Sequence, residues 1–170
     1  MASCTNAKQL INPVARCADC GVMKHRGVYY ITGTVLPGLM LTSQNLTDWK
    51  GPYKFFQTKL HWTDKGHTVD MHAPALKYYN GKFYFYWNGI AFASAEKPLG
   101  PYTDKSLSKP FDKDIDPFLF VDNDGKLYFY TVKFDRGNII FGQEMESPDK
   151  LKGESVRLLD PRPVCWETLY

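Results

Sequence analysis

Two aspartates stand at matched places in a chain that repeats itself. Asp19 opens the run Asp19-Cys20-Gly21-Val22, followed by Gly27-Val28-Tyr29-Tyr30. Asp116 opens Asp116-Pro117-Phe118-Leu119, followed by Asp124-Gly125-Lys126-Leu127-Tyr128. Between them, Ala73-Pro74-Ala75-Leu76 and Asn80-Gly81-Lys82-Phe83-Tyr84 repeat the layout with Ala73 in the leading place. Equivalent residues of repeated units face equivalent directions, so the two carboxylates are expected around one axis, with Ala73 beside them. Two carboxylates in one channel fit acid and base work on a glycosidic bond. They also fit a cation site. A single Asp at a strand start more often bonds its own local backbone. The matched occurrence on two repeats argues against that here.

The elements that must carry these residues are strands. Each aligned segment reads as a short strand, a polar turn and an aromatic strand. Arg26-Gly27, Asn80-Gly81 and Asp124-Gly125 are the hairpin tips, since Gly, Asn and Asp accept the positive φ of tight hairpin turns. The tips recur roughly every 45–55 residues, enough for a hairpin plus two outer strands, the size of a propeller blade. No stretch sustains an apolar helical period. The fold class is therefore all-β, a partial β-propeller with about three four-stranded antiparallel blades. Their approximate ranges are 15–66, 67–112 and 113–165. Rings usually close with four to eight blades, so three read as part of a larger whole, truncated at the C-terminal side.

Bulk properties exclude other classes. The net charge of +3 is mild and the basic residues are scattered, which argues against a nucleic-acid partner. No apolar run has the length of a membrane helix, and no apolar signal core follows Met1. Cys17 and Cys20 form a C-x-x-C pair without a second pair or suitably spaced His, so no metal site is expected. They read as plain buried thiols, because a redox motif of this kind should open a helix. Asp122-Asn123-Asp124 reads as a turn and not a calcium loop, since the Gly follows too soon. No cofactor is called for.

The three blocks together resemble glycoside hydrolase family 43. Ala18-Asp19-Cys20-Gly21-Val22 is similar to that family's first-blade motif, His72-Ala73-Pro74 to its second and Ile115-Asp116-Pro117 to its third. The resemblance runs from about Asn12 onward and implies a five-bladed propeller that inverts configuration on arabinose- or xylose-containing polysaccharides. It implies that Asp19 is the general base and that Asp116 tunes the acid's pKa and orients it. The family's acid is a Glu in a Glu-Gly-Pro motif, which does not occur here; Glu167 resembles a residue upstream of that motif. The expectation is therefore a chain without its general acid, nearly inactive by itself. Cys20 replaces the family's usual Pro, restoring an N–H and loosening φ at that strand start.

Remaining candidates concern the sugar. His72 precedes the axis-facing Ala73 and could reach sugar hydroxyls; His67 flanks the same strand. Trp62 lies in a loop-like stretch and Trp87 within an aromatic strand; either ring could stack on a sugar face, although core packing suits Trp87 better. The partner is an oligo- or polysaccharide. Family habit points outside the cell or to the periplasm, whereas the start of the chain allows the cytoplasm. Oligomeric state is not legible. Two other readings stay open: a non-catalytic carbohydrate-binding propeller fragment, and another propeller glycosidase or phosphorylase family.

Overall fold

The computed structural model describes residues 16–56, 71–88, 91–104, 111, 114–134 and 137–159. Among these residues there is no helix, and the strands form three antiparallel sheets in chain order. The first contains β1 (Gly21–His25), β2 (Val28–Thr32), β3 (Leu39–Ser43) and β4 (Lys50–Lys54), ordered as they occur. The second contains β5 (Ala75–Tyr79), β6 (Lys82–Trp87), β7 (Ala91–Ala95) and β8 (Thr103–Asp104), again in order.

The third departs from the expected four strands. β9 (Ile115–Val121), β10 (Leu127–Phe134) and β11 (Asn138–Ser147) pair in sequence, but β12 (Lys150–Leu151) and β13 (Val156–Leu159) both pair with β11. β11 is ten residues long. It offers Met145 and Ser147 to β12 and the stretch Ile140–Gly142 to β13. Two short strands thus fill the place expected of one.

The turns follow their residues. Arg26 and Gly27 have φ of 47° and 79°, and Asn80 and Gly81 have 45° and 83°. These left-handed pairs match the right-handed twist of the flanking strands. The third tip is longer. Asp122 and Lys126 close it through Asp122 N–H to Lys126 O (2.9 Å), and Gly125 N–H donates to Asp122 O (3.0 Å). The aspartates serve that turn: Asp122 Oδ1 accepts from Asn123 N–H and Asp124 Oδ1 from Lys126 N–H.

Alternation along β6 divides the core. Phe83, Phe85 and Trp87 face the first sheet, where they pack with Met23, Tyr30, Met40, Phe55 and Phe56. Tyr86 faces the other way and joins Phe92, Leu119, Leu127, Phe129 and Met145 against the third sheet. Successive side chains on a strand point to opposite faces, so the middle sheet is buried on both sides. The hydroxyl of Tyr86 donates to Pro148 O at 2.6 Å, tying the second sheet to the third.

The first strands of the sheets lie side by side. β1 packs against β5, and β9 packs against β5 and β6. Gly21 permits the closest approach, because a Cβ there would overlap the Pro74 carbonyl. This contact brings the segments leading into β1 and β5 together with the start of β9.

Candidate active site

The residues around Asp19 are not in a strand. Chain 16–20 bends at Ala18 and Asp19 before β1 begins. Cys17 and Cys20 are joined there by a disulfide, with Cα atoms 5.9 Å apart. The expectation of two buried free thiols is corrected: Cys20 is exposed and Cys17 half-buried. The alternation that would separate residues three apart applies only to extended chain, and the bend brings these two together.

A loop from the far end of β2 receives this bend. Thr34 N–H donates to Ala18 O at 2.9 Å. At Gly33 a Cβ would overlap Cys17 Sγ and Ala18 O, so only glycine allows the loop to lie so close. Buried Thr32 closes the other side of the loop by donating its hydroxyl to Leu39 O at 2.8 Å. Thr34 is thereby placed beside the carboxylate. Its hydroxyl donates to Asp19 Oδ2 at 2.8 Å and accepts from Ala73 N–H at 3.2 Å.

The three aligned positions share one backbone state. Asp19, Ala73 and Asp116 have φ of 48°, 43° and 54°. Left-handed conformations are uncommon outside Gly and cluster where the chain must aim a side chain into a site. For Asp116 the cause is visible in the register. Ile115 and Phe118 pair with Val132 and Tyr130, so Asp116 and Pro117 together stand opposite Thr131. Such a bulge bends the strand and re-aims its residues.

Asp19, Ala73 and Asp116 line one open cleft of about 570 Å³. Its walls are Cys20, Gly21, Val22, Pro74 and Phe118, among others. Partial desolvation in the cleft, and after it the negative charge of Asp19, push the carboxyl of Asp116, a residue still exposed on the cleft surface, above its ordinary value. The two carboxylates are therefore within electrostatic reach of each other. Such a pair can hold one proton more readily than either group alone. Among the described residues no group of three or more His, Cys, Asp or Glu is placed to hold a metal ion.

The other candidates separate. His72 is exposed and does not line the cleft; its backbone is latched to Asn88, whose Oδ1 accepts from His72 N–H at 2.6 Å. Trp87 is corrected: it is 0% exposed and packed against Phe56 and Phe85, so no sugar reaches it. Its place in β6, in register with Phe83 and Phe85, sends it into the core. Trp62, His67 and Glu167 lie outside the described residues. Two residues escaped the sequence reading, Phe118 in the cleft wall and Thr34 behind the Asp19 carboxylate. Phe118, 50% exposed, follows the bulge at Asp116 and Pro117, where simple alternation does not predict its direction. Thr34 had no sequence signal either, because its role comes from a loop fold.

Comparison with known proteins places this arrangement. The family model described as "Glycosyl hydrolases family 43" matches residues 10–167. Xylosidase/arabinosidase 43A of Humicola insolens is 31% identical over 106 residues, covering 53% of this chain and 32% of that protein. Extracellular endo-alpha-(1->5)-L-arabinanase 1 of Bacillus subtilis (strain 168) is 29% identical over 141 residues, covering 70% of this chain and 44% of that protein. The crystal structure of a thermostable family-43 glycoside hydrolase superimposes with a TM-score of 0.69 at 30% identity, over 90% of this chain and 57% of that one. The chain thus spans less than half the length of these two curated relatives. With a family match over nearly all of its sequence and two aspartates at equivalent places in one cleft, the chain belongs to glycosyl hydrolase family 43.

Proposed function

We propose that this chain contributes the base side of an inverting glycoside hydrolase acting on arabinose- or xylose-containing polysaccharides. Its three sheets form three consecutive blades of a five-bladed propeller. The convergence of Asp19 and Asp116 on one cleft carries the reading. The activities for which the relatives are named, a xylosidase/arabinosidase and an arabinanase, support the substrate class.

In this mechanism Asp19 accepts a proton from water as the water's oxygen attacks the anomeric carbon. The bond to the leaving oxygen breaks on the opposite face, and configuration inverts. Thr34 ties Asp19 Oδ2, while Asp19 Oδ1 has no hydrogen-bond partner among the described residues and can meet the water. Asp116 bears a raised pKa and adjusts the proton balance of the cleft. Val22 and Phe118 give the cleft apolar walls suited to the C–H faces of a sugar. The acid that protonates the leaving group is not among the described residues lining this cleft.

The test uses aryl α-L-arabinofuranosides and β-D-xylopyranosides whose dinitrophenolate leaving group needs no protonation. Turnover is expected, with an inverted sugar as the first product by NMR. Asp19→Asn should reduce it by about 10²–10⁴-fold, the usual worth of a positioned base, with circular dichroism unchanged. Binding of oligosaccharide without turnover would instead favour a carbohydrate-binding role. Retained turnover in Asp19→Asn would remove Asp19 from the chemistry.

A further inference from the structure

We propose that Thr34 is the positioning residue for Asp19, and that through Thr34 the segment leading into the second sheet sets the direction of that carboxylate. This rests on the assignment of Asp19 as the base.

The Thr34 hydroxyl makes two hydrogen bonds. A threonine hydroxyl has one proton and two lone pairs. Ala73 N–H occupies one of the lone pairs at 3.2 Å. Asp19 Oδ2, a carboxylate oxygen with no proton to give, accepts the hydroxyl proton at 2.8 Å. The direction of the hydrogen bond is therefore fixed by its two ends. The chain of donors runs from Ala73 N–H to Thr34 O–H to Asp19, from the segment leading into β5 to the one leading into β1.

Thr34 itself is held on both sides. Its own N–H is taken by Ala18 O, one residue before Asp19. Gly33, next to it, lies where no Cβ fits against Cys17 and Ala18. Ala73, in turn, is fixed in its left-handed conformation between Pro74 and the His72 latch to Asn88. The short Asp19 side chain thus meets a donor whose position is set by backbone and not by a flexible side chain. That restraint removes one rotational freedom from the carboxylate and leaves Oδ1 for the water. Orientation of a reacting group contributes to catalysis without contributing to substrate binding, so its loss should appear in kcat and spare KM.

Thr34→Val keeps the shape and removes both bonds, whereas Thr34→Ser keeps the hydroxyl. With the activated aryl glycosides, Thr34→Val should lower kcat by about ten- to a hundredfold, the worth of a hydrogen bond to a charged group. KM should stay within about twofold, and Thr34→Ser should recover most of the rate. A second readout needs no turnover: in protein carrying ¹³C-labelled aspartate, the Asp19 carboxyl resonance should move in Thr34→Val and return in Thr34→Ser. If Asp19→Asn is inactive while Thr34→Val keeps its kcat, the proposal is overturned. Equal losses in Thr34→Val and Thr34→Ser would also overturn it, since they would mark a packing role. If Asp19→Asn stays active, the base assignment falls and the resonance alone decides: an unmoved Asp19 signal in Thr34→Val overturns the positioning role, and a moved one supports it.

Discussion

Asp19, just before the first sheet, and Asp116, at the start of the third, hold the same left-handed backbone conformation, φ 48° and 54°, and both line one cleft. Ala73 repeats the conformation just before the second sheet at φ 43°. Three residues without glycine's freedom keep a conformation that costs of order 1–3 kcal/mol each. The surrounding contacts must hold them there: a disulfide and the Thr34 loop at Asp19, the Asn88 latch beside Ala73, and the bulge opposite Thr131 at Asp116.

Asp116 should cost the protein stability at neutral pH. Partial desolvation and then the Asp19 charge raise its pKa, so the native state keeps the proton to higher pH than the unfolded chain does. As pH rises from the ordinary carboxylate value through the raised one, the unfolded state loses its proton first and native stability falls. Below the ordinary value both states are protonated and the cost vanishes. Asp116→Asn is therefore expected to raise Tm at pH 7, with the difference closing as pH falls below about 4. Thermal unfolding from pH 3 to 8 measures this. A variant less stable than wild type at pH 7 would show that Asp116 is stabilised by its surroundings. Activity should fall, yet less than in Asp19→Asn.

Ala73 gives a second test, of shape. Its left-handed φ admits glycine freely, and glycine's greater loss of chain entropy offsets the relief. Ala73→Gly should therefore change stability by no more than about 1 kcal/mol. Ala73→Val puts a β-branched side chain in the same conformation and into the cleft. It should cost roughly 1–3 kcal/mol and raise KM for a sugar substrate. Denaturant melts of the two variants separate these outcomes; equal stability would mean that the segment relaxes to another conformation.

Much of this arrangement was legible in the sequence because it repeats. The Gly27 and Gly81 tips, the aromatic alternation of β6 and the matched places of Asp19, Ala73 and Asp116 follow from local rules of turn and pleat. What was not legible depended on chain leaving those rules. The disulfide needs the bend at Ala18 and Asp19, which the C-x-x-C spacing by itself does not announce. Thr34 enters through a loop between β2 and β3, where no period predicts direction. Trp87 was ambiguous by type and was decided by its register with Phe83 and Phe85. The split outer edge of the third sheet follows from the length of β11, and boundaries are what sequence patterns fix least.

Tyr86 should be a hinge point of stability between the second and third sheets. It is fully buried, and its hydroxyl donates to Pro148 O at 2.6 Å across the sheet boundary. Burial pushes its phenol far above the ordinary range, so it stays a donor at every working pH. Tyr86→Phe keeps the ring contacts with Phe92 and Phe129 and leaves the Pro148 carbonyl without this donor. The expected loss is about 1–3 kcal/mol, read by urea unfolding. No loss would mean that water reaches that carbonyl when the hydroxyl is gone.

The Cys17–Cys20 bridge encloses Asp19, and this predicts a redox dependence of the cleft. A dithiol reductant would open the bridge to two thiols, itself closing to a cyclic disulfide. The closed loop is short, so the entropic contribution to folding is only on the order of 2 kcal/mol. The local consequence should be larger than the global one. Without the bridge, residues 17–20 lose a restraint on the left-handed conformation of Asp19, and the Thr34 bond must hold it alone. Reduction is therefore expected to lower kcat on activated aryl glycosides several-fold while shifting Tm by only a few degrees. Mass spectrometry after thiol alkylation would report the state of the pair in the same samples. A Cys17→Ser, Cys20→Ser double variant should behave like the reduced protein and ignore the reductant. If reduction lowers Tm but leaves kcat unchanged, the bridge stabilises the bend without directing Asp19, and the Thr34 loop is sufficient to aim the carboxylate.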